Sequence, residues 1–438
     1  LLDLALLSRE RQWGALEEAV RELRPDAIAF SWRDLQIFSP QDLDGAMRDA
    51  FAFFHDPSPA RKLFAAFRGL GDILHFRSTV SHSLSLIRRT AVALPAVPIA
   101  VGGPGIRIFG ERLASKLPAR VRVFTETRLD GFFEYLGLPL PSNPIEPELE
   151  LDFVEAAFPQ WPAYREETIG VQTKLGCPHG CLFCLYGFLE GKESRRRAPD
   201  RVVEEIARYV ERWGSSRIWL ADAQLLSVPD DRAHLAEILE GILKARLRVA
   251  WSGYLRIHEV DPSLASLMVR SGLTDLEVSL SSGAQQVLDE LKLDFTVEQV
   301  IGGCETLAAA GYKGKVLVNV SLNAPGETRE TLLETMETIR NISRIFWPGR
   351  VVPVVFFLAI QPHTGLERRA IAQGHIPARY DPLSVLPWDV IKLIYNPAPL
   401  GRLIGRACAE AFAQGEDDVG KRILEKVEAG VRAGDGYR

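Results

Sequence analysis

Cysteine is scarce in this chain, with five in 438 residues, and methionine is scarcer, with three. So few thiols exclude a disulfide framework and point to a reducing, cytoplasmic setting. Basic charge is not in excess: 52 Lys and Arg stand against 57 Asp and Glu, a formal net charge of −5. The chain therefore lacks the basic footprint of a nucleic-acid binder. No uninterrupted apolar run approaches the ~20 residues that cross a bilayer, so no membrane span is expected. No internal repeat is visible, which excludes a solenoid or propeller. The opening stretch "LLDLALLSRERQWGALEEAV" carries charge too early for a signal peptide. It also lacks a leading methionine, so the chain is expected to begin partway into a domain.

A chain of this length exceeds one ordinary hydrophobic core, and two or three domains are expected. Over the first 140 residues, apolar runs alternate with helical spacing. "DAIAFSW" (26–32), "VPIAVGG" (97–103) and "VRVFTE" (121–126) read as buried parallel strands, the pattern of an open, doubly wound α/β sheet. Residues 136–153, rich in proline and acid, read as a linker, and 141–165 are expected to join two domains. From about Gln172 a second series begins: "GVQTKLG", "RIWLAD", "RVAWSGY", "LEVSL", "KVLVNVSL" and "VVPVVFFLAI". Six strands with intervening helices predict an open (β/α)6 barrel over 166–374, with its chemistry at the strand C-termini. Residues 375–438 carry helical patterns and are expected to form a cap or small helical domain.

Three of the five cysteines fall within eight positions, in "LGCPHGCLFC". Cys177, Cys181 and Cys184 have the spacing C-x3-C-x2-C, and glycines at 176 and 180 let the backbone curl so that three thiolates converge. Structural zinc is the plainer alternative, but it normally takes four ligands, and no fourth cysteine lies nearby. His179 sits inside the loop, where reaching the same ion is strained. Three thiolates suit an iron–sulfur cluster with one iron left for another ligand.

A C-x3-C-x-aromatic-C loop after the first strand of a (β/α) barrel resembles the radical S-adenosylmethionine (SAM) superfamily. The resemblance implies that Cys177, Cys181 and Cys184 hold a [4Fe–4S] cluster and that the open iron binds SAM. Phe183 then occupies the aromatic position near the adenine. The wider environment is similar to that of cobalamin-dependent members. It includes "VQTKLGCPHGCLFCLYGFLEGKESRRRAPDRVVEEI", "IWLADAQLLSVP", "LEVSLSSGAQQVLDELKLDFT", "NAPGETRETLLETM" and "FFLAIQPHTGLERRAIAQG". In the bland alternative each is the strand end or turn of any barrel.

"AFSWRDLQIFSP" and "IAVGGPGIRIFGERL" resemble two loops of Rossmann-like cobalamin-binding domains, whose first strand is expected to be missing here. The resemblance implies contacts to cobalamin from Ser31, Gly102 and Gly103. Many such domains carry D-x-H-x-x-G, whose histidine ligates cobalt, and that motif is absent from this sequence. His75 and His82 do not replace it and read as ordinary surface or core residues. Arg33 stands where the similar tryptophan 2-C-methyltransferase group places an arginine below the cobalt. A guanidinium has no free lone pair for a metal, so its charge would disfavour axial coordination. The alternative is a surface ion pair with Asp34.

The resemblance implies a methyltransferase acting on an unactivated or sp2 carbon, or on phosphorus, of a small-molecule or peptide substrate. One SAM supplies a 5′-deoxyadenosyl radical, methylcobalamin delivers the methyl group, and a second SAM restores it. An electron donor such as flavodoxin or ferredoxin is implied as partner. Asp222, at the end of the second barrel strand, is expected to bind the amino group of SAM or the open iron, and the alternative is a helix N-cap. Ser279, Ser281 and Ser282 close the strand where the family contacts SAM, though serines also form turns. Tyr254 and Trp251 are expected at the substrate cavity or in the core, with Tyr254 a catalytic candidate. Gln361 and His363 end the last strand, His363 as a candidate proton acceptor. Lys192–Arg197 reads as a solvated basic face, and Cys304 and Cys408 as small core residues. Three rivals remain: a non-methylating rearrangement, cyclisation or ring contraction; sulfur transfer to RNA; and a cobalamin- or SAM-binding module without catalysis, against which the complete cysteine loop argues. The RNA thiotransferases need three further cysteines ahead of the loop, and residues 1–176 contain none.

Overall fold

The computed structural model describes residues 2–32, 43–126, 130–140, 155–156, 160–347, 349–383, 386, 388–415 and 417–434. Its residues group into two compact units: Leu1–Ala46, Gly69–Tyr164 and Asp381–Pro387, and Met47–Arg68, Arg165–Tyr380 and Trp388–Arg438.

In the first unit, β1 (Ile28–Ser31), β2 (Ile99–Gly102) and β3 (Val121–Val123) form a parallel sheet in that order. All three runs were expected to be buried strands, but only the central β2 is buried on both faces; as edge strands, β1 exposes Ala29 and Ser31 and β3 exposes Arg122. The core is Ile99, Val101, Ile106, Phe109, Leu113 and Val121, with Val80, Leu84 and Ile87 of the helix Pro59–Ala93. Residues 141–150, in the expected linker, lie outside the described residues.

The second unit is built on six parallel strands: β4 (Ile169–Val171), β7 (Arg217–Leu220), β8 (Ala250–Leu255), β9 (Leu273–Ser281), β10 (Lys315–Ser321) and β11 (Val351–Phe356). They are neighbours in chain order, as the six apolar runs predict. Two short strands, β5 (Lys174–Leu175) and β6 (Arg195–Arg196), form a separate antiparallel pair.

The connecting helices begin and end where the sequence signals them. Pro199–Trp213 opens with proline, carries Asp200 in its first turn and Arg212 in its last, and stops at the left-handed Gly214. Asp261 caps Pro262–Arg270 by accepting from the Leu264 N–H, and Thr328 caps Arg329–Ile345 in a capping box. Each cap satisfies N–H groups that the helix itself leaves unpaired.

Of the carboxy-terminal segment, expected as a cap or small helical domain, Trp388–Arg438 groups with the barrel strands. Gly420, in the helix Val419–Arg432, lies so close to β11 that a Cβ there would stand 2.3 Å from the Pro353 carbonyl oxygen. Among the described residues no helix is long and apolar enough to cross a membrane.

Candidate active site

The three clustered cysteines lie on a loop closed by a clasp. Lys174 and Leu175 pair with Arg196 and Arg195, so residues 176–194 form a loop with a fixed neck just beyond β4. At its start Gly176 has φ +92°, and a Cβ would stand 2.0 Å from the Glu193 carbonyl oxygen. Only glycine fits both conditions. Gly180 was expected to serve the same end, but its φ is not positive and a Cβ there would meet nothing within 4 Å. Gly176→Ala is therefore expected to cost at least about 2 kcal/mol. Gly180→Ala should fall within about 0.5 kcal/mol. Denaturant melts of the two variants check the contrast.

Backbone bonds shape the loop: the Cys177 N–H donates to Gly191 O (3.0 Å) and the Cys184 N–H to Cys181 O (3.2 Å). Its far side docks through Leu182, whose N–H donates to Leu291 O (2.9 Å) and whose carbonyl accepts from Leu366 N–H (2.8 Å). Leu182 packs with Ala284, Val287, Leu291, Leu358 and Leu366, and half-buried Phe183 lies against the same cluster.

All three thiols are free, and burial pushes each of them up. Cys181 reaches about 12, raised first by burial and then by the charges of Cys184 and Cys177. The three sulfurs therefore sense one another, and a bound cation is what would hold them as thiolates. Among the described residues, no three His, Cys, Asp or Glu side chains are placed to share one metal ion. In an iron–sulfur cluster each thiolate instead takes a different iron.

His179 does not add a ligand to the thiols; it anchors the loop. Arg256, at the end of β8, approaches the His179 ring at 3.1 Å and donates to Asp294 Oδ1 at 2.6 Å. The His179 Nδ1 also lies 3.3 Å from Asp294 Oδ2. Burial and then the Arg256 charge lower the His179 pKa, so the imidazole is neutral and accepts from the guanidinium.

Asp222 is buried at 2% exposure, and its carboxylate faces the neck of the loop. Thr173 N–H (2.7 Å) and Lys174 N–H (3.1 Å) donate to Oδ1, and the Thr173 hydroxyl donates to Oδ2 (2.5 Å). These bonds run to the chain entering the cysteine loop, so the carboxylate is a clamp on that stem rather than an N-cap for the segment after it. Burial raises its pKa against the lowering effect of those bonds.

A buried ionic network lies beside the clamp, which the sequence reading missed. The Lys174 ammonium, 1% exposed, bonds to the Ser227 hydroxyl and lies 2.9 Å from Asp231 Oδ2. Arg196 donates to Asp231 Oδ1 at 2.7 Å. Burial pushes the Asp231 carboxyl up, but the bonds from Lys174, Ser227 and Arg196 prevail and hold it at about 2. Arg197, 9% exposed, donates to Gln172 O (2.7 Å) and Glu205 (2.6 Å). The end of the run Lys192–Arg197 is thus built into the neck rather than forming a solvated face.

The inner face of the barrel sheet follows from strand alternation. On β8, Trp251, Gly253 and Leu255 are buried, while Tyr254 is 39% exposed. Trp251 is 1% exposed and its indole N–H donates to Ser271 Oγ (3.0 Å), which settles it in the core on the helix side. On β9, Leu276, Val278 and Leu280 face the helices, and Glu277 and half-buried Ser279 face inward. Ser281 has φ +61° and is buried, as is Ser282. The Ser282 hydroxyl lies 3.1 Å from the Thr335 hydroxyl and accepts from Ala284 N–H, so it serves helix packing. Ser279 thus keeps an inward-facing position, and Ser282 is taken up by helix packing.

Gln361 and His363 do not end the last strand, since β11 stops at Phe356 and they lie on the segment leading to the helix Gly365–Ala372. There the His363 ring stacks on Phe188 (4.2 Å, 10° between planes), and the His363 backbone N–H donates to Glu367 Oε2 at 2.9 Å. The Gln361 Oε1 is buried without a hydrogen-bond partner. Cys304 and Cys408 are fully buried, as expected of small core residues.

Beyond β10, Glu327 lines a cavity of about 490 Å3 with Asn323, His375 and Tyr395. Its Oε1 is buried without a partner, and burial pushes the carboxyl up to about 8. The folded chain therefore keeps a proton there that the unfolded chain releases near 4.5. Stability must fall as pH rises between those two values. Between pH 5 and 8 the melting temperature of the native sequence should drop more than that of Glu327→Gln.

In the first unit, Ser31, Gly102 and Gly103 meet at the C-terminal edge of the sheet. A Cβ on Gly103, whose φ is +97°, would stand 2.8 Å from the Trp32 backbone and 2.9 Å from Ser31 Oγ. The close approach this glycine permits is thus to the chain itself. A Cβ on Gly102 would meet only Phe124, at 3.9 Å, so that position is open. Arg33 and Asp34 lie outside the described residues. His75 and His82 sit on the helix Pro59–Ala93, facing Arg9 and Gln12.

Residues 171–339 match the family profile described as the Radical SAM superfamily. Among curated proteins, the chain is 24% identical over 375 residues to a tRNA-2-methylthio-N(6)-dimethylallyladenosine synthase of Mycobacteroides abscessus, covering 81% of this chain and 70% of that protein. It is 26% identical over 261 residues to the Nocardioides enzyme of the same name, covering 57% and 51%. Several of the curated relatives it matches are spanned over about half their length. Among solved structures, it resembles the radical SAM methyltransferase TsrM of Kitasatospora setae with tryptophan and a SAM analogue bound. There the TM-score is 0.58 at 16% identity, over 85% of this chain and 70% of that one. It also resembles the cobalamin-dependent radical enzyme OxsB with aqua-cobalamin and SAM bound, with TM-score 0.59 at 11% identity, over 95% and 72%. At such identities the likeness establishes the fold. The chain carries a radical SAM domain and has the α/β architecture of the cobalamin-dependent radical SAM enzymes.

Proposed function

We propose that this chain is a cobalamin-dependent radical SAM methyltransferase. The observation that carries the reading is the clasped C-x3-C-x2-C loop at the C-terminal end of the first strand of a six-stranded parallel sheet. Cys177, Cys181 and Cys184 would hold a [4Fe–4S] cluster, with SAM beside Phe183 and Ser279. Ser31, Gly102, Gly103 and Arg33 would meet cobalamin, and the open space at Gly102 suits a bulky ligand. When bound, these groups supply reductive SAM cleavage and methyl carriage.

The chain's own residues position those groups and exclude water. Asp222 and the Lys174–Asp231 pair fix the stem of the loop, and Arg256 and Asp294 fix its crest through His179. Asp222 has both oxygens engaged with Thr173 and Lys174, so we assign it to positioning rather than to iron or SAM. Tyr254 faces the lumen, where the substrate would lie.

The curated relatives raise a second reading, sulfur transfer to RNA. The absence of cysteine from residues 1–176 and the acidic balance of the chain weigh against it. Anaerobic turnover of the reconstituted protein with SAM and candidate substrates, read by mass spectrometry, separates the readings. Methyl transfer predicts S-adenosylhomocysteine and a product heavier by one methylene. 5′-Deoxyadenosine without S-adenosylhomocysteine would point to a rearrangement, cyclisation or ring contraction. A sulfur-bearing product would point to thiotransfer.

A further inference from the structure

We propose that the barrel lumen carries a cation site, formed by Glu277, Asn319, Tyr254 and Trp219, that receives a protonated amine of the substrate. The inference deepens the reading of the same barrel as a methyltransferase and rests on it for the identity of the ligand as substrate.

Four adjacent strands bring these side chains together. Trp219 on β7 is in register with Ser252 on β8, and Tyr254, two residues further on, is in register with Glu277 on β9. Asn319, on β10, donates through Nδ2 to Glu277 Oε2 at 2.6 Å. The Trp219 and Tyr254 rings meet edge to face, 5.1 Å apart. All four lie on the inward face, opposite the buried Leu220, Leu255, Val278 and Val320.

The carboxylate is the informative member. Burial pushes its pKa up, and the Asn319 amide opposes that shift. Among the described residues no Lys, Arg or His forms an ion pair with Glu277, and Asn319 is its one side-chain donor. Asp275 and Lys315 act on it only as more distant charges of opposite sign. A half-buried carboxylate is costly unless a cation answers it. Here one oxygen is fixed by an amide, the Tyr254 ring is in register on the neighbouring strand, and the Trp219 ring meets the Tyr254 ring edge to face. That combination selects a cation by charge and by attraction to the ring faces. Gly170, in register with Trp219 on β4, adds no side chain to this part of the lumen.

The test uses the cluster-loaded chain at pH 7.5 under anaerobic conditions, with three small probes of one shape. These are phenethylammonium, neutral 2-phenylethanol and anionic 3-phenylpropionate, with affinities measured by ligand-observed NMR. The ammonium should bind at least roughly tenfold more tightly than the alcohol, and the acid most weakly. Glu277→Gln keeps the bond from Asn319 and the shape of the side chain, so it should fold and lose the preference. Tyr254→Leu should weaken the ammonium alone, while SAM affinity stays unchanged in both variants. Equal or undetectable binding of the three probes overturns the proposal, as does a preference that survives Glu277→Gln. A matching loss of SAM affinity in Glu277→Gln also overturns it, by assigning the carboxylate to the cofactor. No turnover enters these measurements, so a failure of the methyl-transfer reading would show separately, in the products.

Discussion

An alanine at Cys181 will leave the anaerobically reconstituted protein without its cluster and without SAM-dependent activity. Three thiolates from one loop are the whole protein ligand set for a [4Fe–4S] cluster with an open iron. Cys181 lies between the other two in sequence, and its thiol is pushed up to about 12 when no iron offsets its burial and its neighbours' charge. Two remaining thiols cannot hold four irons against exchange. Iron should fall from about four per chain to near zero, with loss of visible absorbance. The fold should persist, because the loop is held independently by Leu182 on its core side and by His179 on Arg256. Cys304→Ala and Cys408→Ala, both in the core and away from the loop, should keep full iron. Iron analysis beside circular dichroism reads both halves of the expectation.

Asp231→Ala is expected to destabilise the barrel unit by about 3–5 kcal/mol, the usual result of removing one partner from a buried ion pair. The loss has identifiable parts. Lys174 would keep a charge at 1% exposure with the Ser227 hydroxyl bonded to it and the Asp222 carboxylate as a more distant charge. The N–H groups of Ser227 and Val228 would lose their acceptor, and Arg196 would lose its anchor. Because Lys174 is also half of the clasp, weakening should spread to the cysteine loop and lower iron retention. Lys174→Met with Asp231→Leu removes both charges and should recover much of the stability, as measured by denaturant melts. Acid gives the same contrast without mutation. The Asp231 carboxyl is held at about 2 in the folded chain against 3.8 unfolded. Its contribution is present above about 3.8 and is lost as pH falls through about 2.

The sequence disclosed the framework because strong periodic signals carry it. Six apolar runs became six parallel strands in the same order, and the cysteine spacing placed a loop that the structure closes. What stayed hidden depends on which way a side chain points. "LEVSLSS" places three serines near one another in sequence, but alternation keeps Ser282 on the helix side with Leu280, against Thr335, and the left-handed Ser281 is buried. Nothing in the sequence singles out Glu277; the register sets it opposite Tyr254. The basic run at 192–197 looked solvated because its acceptors, Gln172 O, Glu205 and Asp231, are up to 35 residues away in sequence. Asp222 shows the same limit: its position at a strand end was legible, but its partners Thr173 and Lys174 were not.

Cobalt and iron content, measured together on protein reconstituted anaerobically with iron, sulfide and hydroxocobalamin and then desalted, tests the central claim most directly. Cobalamin-dependent radical SAM chemistry predicts about four irons and one cobalt per chain, the cobalt as intact corrin. Four irons with no retained corrin would contradict the cobalamin reading of Ser31, Gly102 and Gly103 while leaving the radical SAM domain in place.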